Sequence, residues 1–126
     1  MYYLDVNLRT AKTLTAREYH ARRERERREA LEAHRHEMLE RARRAIRRHL
    51  PEHPAIRGVY LFGSILKPGR FHSRSDVDVA VEADTIEAES PFARALEQDL
   101  GVFVDLRPLD GAVAEAVAEE GEEVKP

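Results

Sequence analysis

Three aspartates in this chain have a spacing that could bring their carboxylates together in one chemically active site. Asp76 and Asp78 are separated by Val77, and Asp105 follows later in the chain. Side chains two apart on a strand point the same way, so Asp76 and Asp78 are expected to share one face. Such close carboxylates repel, and each raises the pKa of the other unless a cation lies between them. Carboxylate oxygens are typical ligands of Mg²⁺.

A Gly-Ser pair complements the acidic residues. Gly63 and Ser64 directly follow an apolar, strand-like run that ends at Phe62. Glycine lets the backbone approach a phosphate closely, and Ser64 offers a hydroxyl and an N–H to phosphate oxygens. Eleven residues, 65–75, then lead to Asp76. They carry three basic candidates for contacts with a triphosphate, which are Lys67, Arg70 and Arg74.

Together these motifs resemble a known signature. A strand, a Gly-Ser pair, a short loop and Asp-x-Asp on the next strand are similar to the nucleotidyltransferase superfamily that includes DNA polymerase β. The chain's small size resembles the minimal nucleotidyltransferase branch, typically the antitoxin partners of helical HEPN toxins in prokaryotic toxin–antitoxin pairs. The resemblance extends from Ile56 onward. The loop is one residue longer than is common in the family, and Ile65 and Leu66 stand where small or basic residues are frequent.

The resemblance implies an activity and roles for the residues. Asp76 and Asp78 would be ligands to two Mg²⁺ ions, and Asp105 would complete the metal site and help to deprotonate the acceptor. Gly63 and Ser64 would hold the triphosphate of ATP. The implied reaction transfers AMP to a tyrosine hydroxyl of a cognate HEPN toxin and releases pyrophosphate.

Two other functions fit the sequence. The first is a binding-only antitoxin, which masks its toxin through a long helix without catalysis. The second is a nucleotidyltransferase for small molecules such as aminoglycosides, although the chain lacks length for a separate substrate domain.

A long helix is predicted ahead of these motifs. Thr15 and Glu18 match a capping box, no Gly or Pro occurs from Ala16 to Leu50, and Pro51 then ends the helix. The first half of this helix is almost entirely charged, whereas the second half carries an apolar stripe that should pack on the domain. The predicted organisation is an N-terminal arm (1–14), in which apolar residues alternate, then the helix (15–50) and a nucleotidyltransferase domain (54–126).

The remaining elements predict an α/β fold. Strands are expected at Ile56–Phe62, from Asp76 to about Glu82, and at Val102–Leu106. Ser90 and Pro91 should begin a helix over about Phe92–Leu100, and a last helix should follow Asp110 and end before Gly121. These elements predict a small mixed sheet of the polymerase β-like nucleotidyltransferase fold, preceded by the long helix.

The composition of the chain limits the kinds of site and the cellular location that are expected. The 126 residues are 42% hydrophobic and 36% charged, with no cysteine, so disulfides and zinc–thiolate sites are excluded. The start of the chain has no long apolar run, and a cytoplasmic protein without a membrane segment is expected. Residues 1–50 carry a net charge of +6 and residues 51–126 a net charge of −9. The basic half is either a solvated helix or a site for an acidic partner, and direct nucleic-acid binding is not expected. A homo-oligomer could form through the helix.

Overall fold

The long helix forms as the sequence predicts. The computed structural model describes residues 2–4 and 13–126. Helix α1 spans Ala16–His49, and the capping box at its start is complete. The Glu18 amide donates to Thr15 Oγ1 (3.1 Å), and the Thr15 amide donates to Glu18 Oε2 (3.3 Å). Pro51 lies in a short 3₁₀ turn, Leu50–Glu52, that ends the helix.

The two halves of α1 differ in burial, as predicted. Residues 16–34 are exposed or partly exposed, and pairs such as Arg22–Glu26 lie along the surface of the helix. The second half buries Met38, Leu39, Ala42, Ala45 and Ile46 against the domain core. The domain therefore holds α1 mainly through this half.

A four-stranded mixed sheet forms the centre of the domain. Its strands are β3 (Ile56–Phe62), β4 (Val77–Ala83), β5 (Val104–Pro108) and β6 (Glu122–Glu123), in the order β5-β4-β3-β6. Strands β4 and β5 are parallel, whereas β3 is antiparallel to both β4 and β6. Helix α2 (Glu89–Leu100) makes the crossover from β4 to β5, and α3 (Gly111–Glu120) joins β5 to β6. The predicted α/β fold with a mixed sheet is confirmed.

The core lies on one face of this sheet. Val77, Val79 and Val81 of β4 are buried there, as their alternation predicted, together with Val59 and Leu61 of β3. The buried apolar residues of α1 and of α2 belong to the same cluster, including Phe92 and Leu96. Because side chains alternate along a strand, Asp78 faces away from this core.

Several predicted boundaries were wrong. Strand β4 begins at Val77, so Asp76 lies just before it. Strand β5 begins at Val104 rather than Val102, because the chain leaves α2 through Gly101 in a left-handed conformation (φ 69°) and uses the next residues to reach the sheet.

The predicted cap of α2 was also wrong. The helix begins at Glu89 because a 3₁₀ turn, Ile86–Ala88, runs directly into it. Ser90 is therefore inside the helix, and Pro91 lies in the first turn, where a missing N–H is tolerated. Asp110 does occupy the N-cap position of α3, but its side chain makes no capping hydrogen bond.

Two short strands pair with each other ahead of α1. Strand β1 (Tyr2–Leu4) pairs antiparallel with β2 (Thr13–Thr15), immediately before α1. Residues 2–4 of the alternating stretch form a strand, and the rest of that stretch falls outside the described residues. The three-part division of the chain stays a prediction. Among the helices that the structure describes, none combines the length and the apolar character that a bilayer crossing requires.

Candidate functional site

The Gly-Ser pair forms a tight turn at the end of β3. Gly63 begins a short 3₁₀ turn, Gly63–Leu66, directly after the strand and adopts a left-handed conformation (φ 79°). Its neighbour Phe62 is paired with Asp78 across the antiparallel strands. A Cβ on Gly63 would stand 3.1 Å from Asp78 Cγ and closer still to Asp78 Oδ2. Glycine is therefore required here for two reasons, the backbone conformation and the space that the carboxylate occupies.

Asp78 and Asp105 lie side by side. Parallel pairing of β4 and β5 places the two residues in register, and both are half-buried. Burial raises the pKa of Asp78, and the nearby charges of Asp105 and Asp76 raise it further, while Arg107 opposes them. The charges of Asp76 and Asp105 thus both act on the carboxyl group of Asp78. Asp76 is the exposed member of the three.

Arg107 is a neighbour of these acids that sequence reasoning did not single out. It lies two residues after Asp105 on the same strand, so both side chains project from one face. Its Nε donates to both carboxylate oxygens of Asp105 (3.2 and 3.3 Å), and its Nη2 lies 3.2 Å from Oδ2. The alternation of β5 was the available signal for this contact.

The carboxylates of Asp76, Asp78 and Asp105 are chemically suited to bind a hard divalent cation. Asp78 is a half-buried carboxylate with a raised pKa, and its neighbours Asp76 and Asp105 offer oxygen atoms only. In the part of the chain that the structure describes, no three acidic or histidine side chains are grouped as a ready-made metal site. The Asp105 carboxylate is held by Arg107 instead. Arg107 therefore competes with a cation for the Asp105 carboxylate.

A surface pocket lies beside the Gly-Ser turn. It has a volume of about 440 Å³ and is lined by Ser64, Lys67 and Arg70, three of the predicted nucleotide-binding residues. Lys67 Nζ makes an ion pair with Glu120 Oε1 at the end of α3 (2.9 Å). Arg74 is exposed and does not line this pocket. The pocket thus presents one hydroxyl and two cationic side chains, a combination suited to phosphate oxygens.

Comparison with known proteins decides the family. The sequence profile of the family described as polymerase beta, nucleotidyltransferase matches residues 44–124. The chain belongs to this nucleotidyltransferase family. The resemblance to this family and the predicted enzyme class, a nucleotidyltransferase, are confirmed. A comparison with curated protein sequences gave no significant match.

Solved structures similar to this nucleotidyltransferase come from toxin–antitoxin complexes. One, a toxin–antitoxin crystal structure with AMP-PNP, is 30% identical over 66% of this chain and 72% of that chain, with a TM-score of 0.56. An MntA-HpeT mutant, in which two aspartates two positions apart are changed to glutamate, is 28% identical with the same coverage and TM-score. The MntA-HepT complex is 26% identical over 67% of this chain and 69% of that chain, with a TM-score of 0.50.

Proposed function

We propose that this protein is a Mg²⁺-dependent adenylyltransferase that acts as an antitoxin by transferring AMP from ATP to a tyrosine of a HEPN-type toxin. The observation that carries the proposal is the register of Asp78 with Asp105 beside the Gly63 turn. This arrangement groups half-buried carboxylates at the turn, and Ser64, which directly follows Gly63, lines a pocket together with two cationic side chains. Family membership and the similarity to a structure containing AMP-PNP support the proposal.

Each residue has a role in the proposed reaction. Asp76, Asp78 and Asp105 would hold Mg²⁺, which when bound polarises the attacked phosphorus and neutralises the leaving group. Ser64, Lys67 and Arg70 would bind the triphosphate in the pocket that they line. Arg74, which lies outside this pocket, would contribute only through its charge.

The proposed transfer takes place at the α-phosphorus of ATP. The acceptor hydroxyl oxygen forms a bond to the α-phosphorus, and the bond from that phosphorus to the bridging oxygen of the β-phosphate breaks. Pyrophosphate leaves with the electron pair of that bond. The hydroxyl proton passes to a carboxylate, for which Asp105 is the candidate. The acceptor would be brought by the partner protein, because most of the described chain outside α1 is used by the domain core and the site itself.

A second candidate function is masking of the toxin without catalysis. It is favoured by residues 23–30 of α1, which are exposed and form a charged helical surface that a partner could contact. The ion pair between Arg107 and Asp105 is also compatible with it.

Mass spectrometry separates the two functions. The protein is incubated with its toxin and Mg²⁺-ATP, and the intact mass of the toxin is measured. Catalysis predicts a gain of AMP that is lost in the double variant Asp76→Asn/Asp78→Asn, while Asp84→Asn, which breaks an exposed ion pair with Arg57, keeps the activity. Full neutralisation of the toxin by the double variant, with no mass gain on the toxin in any sample, would instead establish masking.

A further inference from the structure

A buried arginine of α1 contacts the loop that follows the Gly-Ser pair. Among the residues that the structure describes, Arg35 is the charged side chain that is buried, at 5% exposure. Its Nη1 donates to the backbone carbonyl of Ile65 (3.0 Å), and its Nη2 and Nε donate to Glu32 one turn earlier (3.0 to 3.3 Å). A buried cation needs such partners, because leaving it unpaired is costly.

Glu32 contacts the same loop at a second point. Its Oε1 accepts a hydrogen bond from the backbone N–H of Gly69 (2.7 Å). The hydrogen bond from Arg35, followed by that from the Gly69 amide, lowers the pKa of Glu32. Arg35 and Glu32 therefore form one unit that binds a carbonyl at the start of the loop and an amide four residues later.

The two anchor points alternate along the chain with the residues that line the candidate phosphate pocket. Ser64 directly precedes Ile65, Lys67 lies between Ile65 and Gly69, and Arg70 directly follows Gly69. A third contact extends the attachment, because His34 of α1 stacks on the buried ring of Phe71 with 5.7 Å between ring centroids. All of these contacts come from one stretch of α1, at residues 32–35.

Inside the loop, the described backbone hydrogen bonds are short turns. The Lys67 amide donates to the Ser64 carbonyl (3.0 Å), and the Arg70 amide donates to the Lys67 carbonyl (3.1 Å). Turns of this kind are marginal alone, since fixing each residue costs conformational entropy. The relative positions of Ser64, Lys67 and Arg70 thus depend on contacts from outside the loop.

We propose that Arg35 and Glu32 are positioning residues that hold the nucleotide-binding loop in its binding conformation. The inference rests on the proposed function, because it takes the loop pocket as the site of the triphosphate. A loop ordered before the ligand arrives binds more tightly, because less ordering remains to be done on binding. The second half of α1 is then part of the nucleotide site, although neither residue lines the pocket.

Two variants and one matched control test this role. Arg35→Met keeps an apolar stem but removes every donor, and Glu32→Ala removes the acceptor for the Gly69 amide at a side chain that is 32% exposed. Arg41→Met is the control, because Arg41 also lies on α1 and also donates to a backbone carbonyl, that of Leu100 (3.0 Å), but outside the loop.

The first measurement is affinity for Mg²⁺-AMP-PNP by calorimetry. We expect roughly tenfold weaker binding in Arg35→Met and Glu32→Ala, and less than a twofold change in Arg41→Met. Thermal unfolding of each variant shows whether it is folded. If Arg35→Met fails to fold, Glu32→Ala carries the test, since its side chain is only partly buried.

The second measurement is hydrogen exchange of the Gly69 amide by NMR, which needs neither ligand nor activity. Exchange should accelerate in Glu32→Ala and Arg35→Met and stay slow in Glu32→Gln, which keeps an acceptor oxygen, and in Arg41→Met. Nucleotide affinity should follow the same order, so Glu32→Gln should recover most of the affinity lost in Glu32→Ala.

The possible failures are distinguishable. Absence of Mg²⁺-AMP-PNP binding by the unmodified protein would overturn the proposed function and, with it, the role in nucleotide binding. Binding by the unmodified protein that is unchanged in Glu32→Ala and in Arg35→Met, where that variant folds, would overturn the positioning role alone. Accelerated Gly69 exchange with unchanged affinity would also overturn it, by showing that the loop need not be held.

Discussion

The α-carbon of Gly63 packs against the carboxylate of Asp78, so closely that a Cβ at position 63 would stand 3.1 Å from Asp78 Cγ. This contact joins the turn that would bind phosphate to the acid that would bind the cation. It arises because β3 ends opposite Asp78, where Phe62 is its partner in the antiparallel pair. The Gly-Ser motif and the Asp-x-Asp motif are therefore one structural unit.

The first prediction concerns this contact. Gly63→Ala should push the Asp78 carboxylate aside or shift the turn, in addition to placing alanine in a left-handed conformation (φ 79°). We expect a loss of about 1–3 kcal/mol in the free energy of unfolding and a loss of AMP transfer of at least tenfold. Chemical denaturation and the rate of AMP transfer measure the two effects.

Gly101→Ala is the matched control for this prediction. Gly101 also has a positive φ (69°), but a Cβ there would meet nothing within 4 Å. Gly101→Ala should lower the free energy of unfolding by about 1–2 kcal/mol through backbone strain alone. The rate of AMP transfer by the folded variant should be unchanged. Equal effects of the two substitutions on transfer would mean that the contact with Asp78 is unimportant.

Local signals in the sequence predicted most of the fold. The start of α1 was predictable because a capping box involves residues three apart, and the limits of β3 were predictable because an apolar run ends at a Gly-Ser pair. The valines of β4 were assigned to the core by their alternation alone. The cap of α2 was not predictable, because a 3₁₀ turn extends that helix toward its N-terminus.

The candidate site was predictable only in part. The register of Asp78 with Asp105 requires a parallel crossover, which the sequence only implied through its resemblance to the family. Arg35 occupies a buried position of the apolar stripe of α1, but its charge gave no reason to expect burial. Its partner, the carbonyl of Ile65, is 30 residues away and belongs to the backbone, so no side-chain pattern reports it.

The second prediction concerns the ion pair between Arg107 and Asp105. Arg107→Gln removes a cation that competes for the Asp105 carboxylate (3.2 Å). Divalent cations should then bind roughly fivefold more tightly, a modest change because solvent screens an exposed pair. Titration with Mn²⁺ followed by electron paramagnetic resonance measures this affinity without any need for activity.

Arg57→Gln controls for the change in net charge. Arg57 makes a comparable exposed ion pair with Asp84 (2.9 Å), outside the proposed metal site. Mn²⁺ affinity should stay within about twofold of that of the unmodified protein, because screening limits charge effects to about 10 Å. Unchanged or weaker Mn²⁺ binding in Arg107→Gln would contradict a metal site at Asp105.

The third prediction separates the basic residues of the loop. Lys67 lines the pocket, whereas Arg74 is exposed and lies outside its lining. Lys67→Met should weaken Mg²⁺-AMP-PNP binding about fivefold at low salt, and the difference should shrink as salt is added. Arg74→Met makes the same change in charge and should alter the affinity less than twofold. An equal loss in both variants would indicate a diffuse field rather than a pocket contact.

The fourth prediction uses the pair that attaches the C-terminal strand to α1. Arg43 Nε and Nη2 donate to the two oxygens of Glu122 (2.7 and 2.6 Å), and this hydrogen bonding lowers the pKa of Glu122. An acid whose folded pKa is lowered stabilises the fold above its ordinary pKa and loses that stabilisation as the pH falls through the folded value. Glu122→Gln should therefore cost about 1 kcal/mol at pH 7, after allowance for partial solvent exposure.

The dependence on pH distinguishes this pair from simple packing. The stability difference between the unmodified protein and Glu122→Gln should be constant above the ordinary glutamate pKa of 4.5 and should shrink at lower pH. Urea denaturation at a series of pH values measures it. Glu123→Gln, at an exposed neighbour on the same strand, should show no such trend. A difference that stays constant down to pH 3 would mean that the charge of Glu122 does not contribute and that Arg43 holds the strand through neutral hydrogen bonds.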